Sequence, residues 1–278
     1  MILPWDAEFA SRAPMFAPLR AVARDLPAAA WPDCAALNAL AAKRAAPLVN
    51  AEGRALTFVP QAPRQRAFEE KYEPRIFLRG EVQMRSQNWH DLLNALVWLT
   101  FPQAKAALNR RHYEALCAQR AAGAPNRGPQ QDALTLFDEG GVIVATGDPA
   151  LAALLRGHEW KTLFWRRRAE LAGAMSFNLF GHALYEKALR PFAGITGRGV
   201  IFEVDAEFLR AAPGLQVGKL DSLLAALLRD PDRLTATREL AAVPILGVPG
   251  WCADNMREAY YDDTAFFRPP PLSAPGRR

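Results

Sequence analysis

The residues best suited to chemistry begin with a histidine in the segment 88–101. His90 and Asn94 are four residues apart, so they share one face of a helix, and Asp91 stands three residues before Asn94. An imidazole can act as a general base or bind a metal ion, and a neighbouring carboxylate can orient it or share the ion. The sequence therefore gives His90, Asp91 and Asn94 as candidate catalytic residues.

A second histidine has a carboxylate at the same helical spacing. His182 and Glu186 are four residues apart, and such a pair can hold a proton or an ion. Both join the catalytic candidates, and we expect folding to bring His182 close to His90. The alternative for each of these residues is structural, a core histidine or an ion pair that only needs hydrogen-bond partners.

Adjacent carboxylates precede a pair of glycines at residues 138–141. Asp138 and Glu139 are candidate metal ligands or acid–base groups. The alternative is a tight turn, in which Asp and Gly are common. The histidines match no metal motif such as H-E-x-x-H, so the sequence assigns neither a metal nor any other cofactor.

A polar stripe follows on the next predicted helix. Lys105, Asn109 and His112 fall at positions i, i+4 and i+7 of a segment that is otherwise largely Ala and Leu. Buried polar groups cost free energy unless they are hydrogen-bonded. The stripe is therefore either a satisfied structural network or the wall of a site.

These residues must be positioned by helices and strands, and the sequence pattern predicts a helix-rich α+β fold with short antiparallel hairpins. Helices are expected over residues 88–101, 102–120 and 158–190, and hairpins over 75–85 and 134–145. Strands and helices do not alternate regularly, which argues against a doubly wound parallel sheet. We expect one globular domain over residues 1–268 and a disordered tail over 269–278.

Composition limits the partners only loosely. The chain of 278 residues carries a net charge of +5, which permits a nucleic acid or a phosphate-bearing ligand without requiring one. Arginines at positions 166–168 would spread around a helix instead of forming one patch. Three distant cysteines, no signal-like N-terminus and no apolar stretch of about 20 residues predict a cytoplasmic protein outside the membrane.

Several of these segments together resemble a bacterial protein family. The segment 88–102, with Lys105 and Asn109 after it, is similar to the central motif of the family catalogued as domain of unknown function 3025. Similar motifs occur at residues 132–139, 181–187, 249–251 and 261–263, with Asn255 between the last two. The resemblance covers roughly residues 30–268 and implies one continuous domain of bacterial origin. It transfers no catalytic role to any residue.

Three classes of function remain open at this point. The first is a hydrolase or phosphoesterase that works through His90, Asp91 and His182, with Asp138 and Glu139 as further candidates. The second is a binding module for nucleic acid or another anionic partner. The third is an interaction protein with a structural polar core. The sequence assigns no substrate, partner or oligomeric state.

Overall fold

Helices dominate the computed structural model, which describes residues 3–62 and 67–270. The strands are β1 Thr57–Pro60, β2 Glu81–Met84, β3 Gly141–Thr146, β4 Met175–Leu179, β5 Thr196–Glu203 and β6 Ala241–Pro244. The α-helices are α1 Arg20–Ala23, α2 Cys34–Ala42, α3 Tyr72–Arg79, α4 Trp89–Thr100, α5 Pro102–Ala121, α6 Pro129–Gly140, α7 Pro149–Arg156, α8 Arg168–Ala174, α9 His182–Ala188, α10 Ala206–Arg210 and α11 Pro213–Arg229. Short 3-10 segments and one π-helical turn, Thr162–Arg166, connect them.

The larger sheet has four strands in the order β4-β3-β5-β6. Strand β3 pairs parallel with β5 and antiparallel with β4, and β6 pairs antiparallel with β5. Every residue of β3 is buried, as expected for a central strand of Val, Ile and other small or apolar residues that is covered on both faces. The smaller sheet is the parallel pair β1-β2, with Phe58 opposite Val82.

The predicted helix-rich α+β class is confirmed, and the predicted hairpins are wrong. One continuous cluster of buried apolar side chains links both sheets and the helices around them. The antiparallel pairs are not hairpins, because α7 and α8 lie between β3 and β4, and α10 and α11 between β5 and β6. The single domain over residues 1–268 stays a prediction. Of the predicted disordered tail, residues 271–278 lie outside the described residues.

The first predicted hairpin, over residues 75–85, is instead helix α3 followed by strand β2. Gly80, taken for the turn, ends α3 in the left-handed conformation with φ 74°. A Cβ atom there would also collide with the carbonyl oxygen of Ala55. A short apolar run such as 76–78 has no periodicity that separates a strand from a helix, which is why the prediction failed.

The second predicted hairpin, over residues 134–145, is helix α6 running directly into β3. Pro129 occupies the first turn of α6, where its missing N–H costs no hydrogen bond. Gln131, Leu134 and Asp138 are all buried, and their spacing of three and four residues is that of one helix face. Asp138 is therefore a buried helical residue and not part of a turn.

The predicted helix over residues 158–190 is interrupted by strand β4. Met175, Phe177 and Leu179 are buried and alternate with less buried residues, which is the period of a strand with one covered face. Residues 180–181 then connect β4 to α9, and His182 becomes the first residue of that helix. Because β4 interrupts the predicted helix, His182 begins a separate helix, and the direction of that helix sets the orientation of its ring.

Helices α4 and α5 confirm the predictions over 88–101 and 102–120. The side chain of Asn88 caps α4 by accepting from the N–H of Asp91, and Pro102 opens α5. Helix α4 packs against α9, while α5 packs against α3, α6 and α11. Among residues 3–62 and 67–270, none of the helices is both long and apolar enough to cross a membrane.

Candidate functional site

Five helices, α3, α4, α5, α6 and α9, contribute to the wall of a cavity of 360 Å³. Its lining is mostly polar, and it includes most of the residues that the sequence singled out. The lining residues are Gln61, Tyr72, Glu73, Gln83, Arg85, His90, Asp91, Asn94, His112, Leu116, Arg127, Gln131, Thr135, Asp138, Glu139 and His182.

The two candidate histidines meet in this wall, as the sequence-based hypothesis expected. Nε2 of His90 lies 3.1 Å from Nε2 of His182, and the rings stand edge to face at 80°. Nδ1 of His90 lies 2.9 Å from a carboxylate oxygen of Glu186. On the other side, Nδ1 of His182 lies 3.8 Å from a carboxylate oxygen of Asp138. We call this row of four side chains, Glu186–His90–His182–Asp138, the histidine–carboxylate chain.

The number of protons in the histidine–carboxylate chain follows from its geometry. It has three links, and two neutral imidazoles supply only two N–H groups. The carboxylate of Glu186 is an acceptor, so Nδ1 of His90 carries a proton and Nε2 of His90 accepts from Nε2–H of His182. Nδ1 of His182 is then left with a lone pair, and it has no hydrogen-bond partner among the described residues. When both imidazoles are neutral, the link between His182 and Asp138 therefore has no proton.

Burial keeps His182 in this neutral form. Only 6% of the residue is exposed, and desolvation is the largest of the effects that lower its pKa to about 4. The negative charge of Asp138 opposes this shift but does not overcome it, because Lys105 and His90 act in the same direction as burial. Around neutral pH, His182 is therefore an uncharged donor and acceptor.

Asp138 is ionised at the buried end of the chain. Nζ of Lys105 donates to it at 2.5 Å, and the same ammonium lies 5.4 Å from the ring centre of Trp98. Burial alone would raise the pKa of Asp138, but Lys105, His182 and His112 outweigh it and lower the pKa to about 2. An ionised carboxylate, balanced by the ammonium group of Lys105, thus lies below the histidines.

A group able to bind a metal ion lies next to this pair. Possible ligand atoms of Glu73, His112 and Asp138 all lie within 4.8 Å of one another. Nδ2 of Asn109 donates to the carboxylate of Glu73 at 2.6 Å and to its carbonyl oxygen at 3.0 Å. Burial is the main cause that raises the pKa of Glu73, with Asp138 adding to it and His112, Lys105 and Asn109 opposing it.

Of the two predicted metal candidates, only Asp138 belongs to this group. Successive side chains on a helix point about 100° apart, so Asp138 faces inward on α6 while Glu139 is exposed at the rim. The prediction paired them because it placed both in a turn. On the helix the two neighbouring carboxylates have different surroundings, one buried and one exposed. Glu139 can therefore serve as a control for substitutions of Asp138.

Asp91 and Asn94 line the cavity but contact other partners than the prediction implied. The carboxylate of Asp91 accepts from Nε and Nη2 of Arg85 at 2.8 and 2.7 Å, and from the N–H of Arg85. Burial would raise the pKa of Asp91, but these bonds lower it. The group that orients His90 is therefore Glu186, not Asp91. Asn94 donates to the hydroxyl of Tyr72 at 2.5 Å.

Glu73 is the site residue that the sequence did not reveal. The polar stripe Lys105, Asn109 and His112 did point to the correct face of α5, since each of these side chains reaches this site. Glu73 has no such pattern around it, and residues 75–78 were assigned to a strand. The signal that could have revealed Glu73 is Gly80, because a helix ending at that glycine would include residue 73.

Gly181 allows α9 to begin against the end of α6. Its N–H donates to the carbonyl oxygen of Gly141 at 2.9 Å, and a Cβ atom would collide with backbone atoms of Glu139 and Gly141. Replacing Gly181 with alanine should therefore displace His182 and destabilise the fold by about 1–3 kcal/mol. Chemical denaturation measures this loss. Gly173→Ala, at a position where a Cβ would meet no atom of the described chain within 4 Å, is the control, and an equal loss there would contradict the explanation.

The fold and the cavity together define a class of protein, helix-rich and α+β, in which three histidines and several carboxylates face one small cavity. The chain belongs to the family described as protein of unknown function (DUF3025), whose model matches residues 56–270. This confirms the resemblance found in the segment 88–102, and all four residues of the histidine–carboxylate chain lie inside the matched range. No curated protein and no solved structure matches the chain.

Proposed function

We propose that this protein is a hydrolase of small anionic esters, with phosphoesters as the first substrate class to test and His90 as the general base. The observation that carries the proposal is the histidine–carboxylate chain, of which His90, His182 and Asp138 line the cavity while Glu186 lies outside its lining. A cavity of 360 Å³ lined by several convergent polar groups is a common setting for a binding or catalytic site. Of the two arginines in the same wall, Arg85 bonds to Asp91, so Arg127 is the group available to contact the negative charge of a substrate.

The roles follow from the positions of the protons. Glu186 holds the proton on Nδ1 of His90, so Nε2 of His90 is the basic nitrogen, and the side chain is 32% exposed. A water molecule that competes with His182 for this nitrogen gives its proton to His90 as its oxygen attacks the ester. The bond to the leaving oxygen breaks, and His90 returns the proton to that oxygen.

We expect the substitution His90→Gln to lower kcat/KM by about 100- to 10,000-fold, because it removes the base while keeping hydrogen-bonding capacity. Glu186→Gln should give a smaller loss, since an amide still bonds to the ring but no longer stabilises an imidazolium. The measurement is release of p-nitrophenol from its phosphate and acetate esters by the purified full-length chain.

His158→Gln is the matched control, because His158 lies outside the cavity that holds the other histidines. Thermal unfolding of each variant separates loss of chemistry from loss of fold. Failure of the parent protein to hydrolyse either ester, or full activity in a folded His90→Gln variant, would contradict the proposal. A lower melting temperature with unchanged activity would instead support a structural polar core.

The alternative of a nucleic-acid-binding module receives no support from a specific contact. Arg167 bonds to Asp148 at 3.2 Å and also pairs with Glu170, while Arg168 donates to the carbonyl oxygen of Asn255 at 2.8 Å. Two of the three consecutive arginines are thus engaged within the chain. The net charge of +5 is what remains in favour of this alternative.

We infer in addition that the protein acts in the bacterial cytoplasm. The three cysteines, Cys34, Cys117 and Cys252, are free thiols in the structure. Unpaired cysteines suit a reducing compartment, in which disulfides rarely persist.

A further inference from the structure

Three side chains from three different helices converge beside the histidine–carboxylate chain. Glu73 comes from α3, His112 from α5 and Asp138 from α6, and their potential ligand atoms lie within 4.8 Å of one another. All three line the 360 Å³ cavity, so the group is open to a small ligand. Two carboxylates this close repel each other unless positive charge or a proton lies between them.

The two carboxylates are held in place by donors behind them. Asn109 donates to Glu73 at 2.6 Å, and Lys105 donates to Asp138 at 2.5 Å. Metal sites characteristically have such outer partners, which fix the orientation of the ligating side chains. Lys105 neutralises one of the two negative charges, which leaves one uncompensated charge in the group.

An independent observation also points to a missing ligand. His182 is 6% exposed, and its Nδ1 atom makes no hydrogen bond of good geometry in the described part of the chain, although the backbone carbonyl group of Asp138 lies near enough to the ring to favour its charged form. That nitrogen faces the carboxylate of Asp138 at 3.8 Å, too far for a hydrogen bond. A buried acceptor that faces a carboxylate, which is a second acceptor, is unfavourable unless a cation or a proton is shared nearby.

We propose that Glu73, His112 and Asp138 bind a divalent transition-metal ion of the Zn²⁺ or Mn²⁺ type. One imidazole and two carboxylates form a mixed nitrogen and oxygen ligand set, which suits these ions better than the all-oxygen sets preferred by Ca²⁺ and Mg²⁺. Three protein ligands leave coordination positions open for water or a substrate oxygen, as in catalytic metal sites. Lys105 limits the charge of the site, so a second ion is not expected.

The inference goes beyond the proposed hydrolase and does not depend on it. A bound ion would lower the pKa of a coordinated water molecule, and His90 in the same cavity could then accept its proton. The site can nevertheless bind its ion even if the protein hydrolyses nothing. The test therefore measures binding, not turnover.

The experiment begins with the full-length chain stripped with EDTA and dialysed free of chelator. Titration calorimetry with ZnCl₂ or MnCl₂ alone should give one bound ion per chain, and elemental analysis after gel filtration should confirm the stoichiometry. The substitutions Glu73→Gln and Asp138→Asn each replace a ligand by a neutral isostere. Both should weaken binding by about 100-fold or more, since even outer partners of metal ligands contribute 10- to 100-fold.

Glu139→Gln is the matched control, because Glu139 lines the same cavity but does not belong to the three-residue group. It should leave the affinity unchanged. If Asp138→Asn fails to fold, His112→Gln takes its place with the same expected loss.

Absence of a stoichiometric ion in the folded parent, or equal weakening by Glu139→Gln and Glu73→Gln, overturns the assignment. His90→Gln should bind the ion normally, so a loss of hydrolysis without loss of metal separates the two proposals.

Discussion

Replacing Lys105 with methionine should destabilise the protein by about 3–5 kcal/mol, the cost of leaving a buried carboxylate without its partner. The exposed fractions of the two side chains are 4% for Lys105 and 11% for Asp138, so water can compensate only in part for the lost ammonium. Methionine keeps most of the volume of the lysine stem against Trp98, which confines the effect to the charge. Urea denaturation in the presence of EDTA measures the loss without a competing cation.

A second substitution separates charge from packing. In the double variant Lys105→Met with Asp138→Asn the buried charge is gone, so much of the stability should return. Arg110→Met is the control on the same helix, because the exposed pair Arg110–Glu114 should contribute less than about 1 kcal/mol. Equal losses from Lys105→Met and Arg110→Met would show that the buried pair has no special role.

The contribution of one carboxyl group on α11 to the stability of the protein should fall by about 2 kcal/mol between pH 4 and pH 6, out of about 3 kcal/mol in all. Asp221 is 3% exposed, and burial is the main cause that raises its pKa to about 6 from 3.8. A pKa difference of one between the folded and unfolded states corresponds to about 1.4 kcal/mol. A raised pKa means that the folded state holds the proton more tightly than the unfolded chain, so this contribution is complete below pH 4 and is lost as the pH rises through 6.

The same carboxyl group caps a helix that carries the site. Its oxygens accept from the N–H groups of Gln103 and Ala104 at the start of α5, at 3.1 and 2.8 Å. Asp221→Asn keeps one acceptor for these donors but cannot ionise. The difference in unfolding free energy between the variant and the parent should therefore change by about 2 kcal/mol in favour of the variant from pH 4 to pH 6. Parallel curves over that range would contradict the raised pKa.

Local sequence patterns predicted the helices that carry the site but not the contacts between them. The period of α4 and the proline at 102 were sufficient to place His90, Asn94 and the polar stripe of α5 correctly. The approach of His90 and His182, 92 residues apart, was a hypothesis that no local pattern could test. It depends on the packing of α4 against α9 and on the break before His182.

The predictions failed where glycines have more than one structural use. Gly80 and the pair Gly140–Gly141 resemble hairpin turns. In the structure, however, both stand where a helix ends and a strand follows. The error hid Glu73 on α3 and placed Asp138 in a turn. Only tertiary contacts distinguish these uses, because a short apolar segment next to glycine is compatible with either structure.

The direct junction between α6 and β3 also has a consequence for motion. Asp138 stands three residues before a strand in which all six residues are buried and five, from Val142 to Thr146, are paired on both sides. Backbone amides in such a segment exchange with solvent only when most of the protein opens. The floor of the cavity therefore belongs to the most stable part of the chain. The part of the lining that can adjust to a ligand at the lowest cost is the exposed connection between α5 and α6, where Arg127 lies.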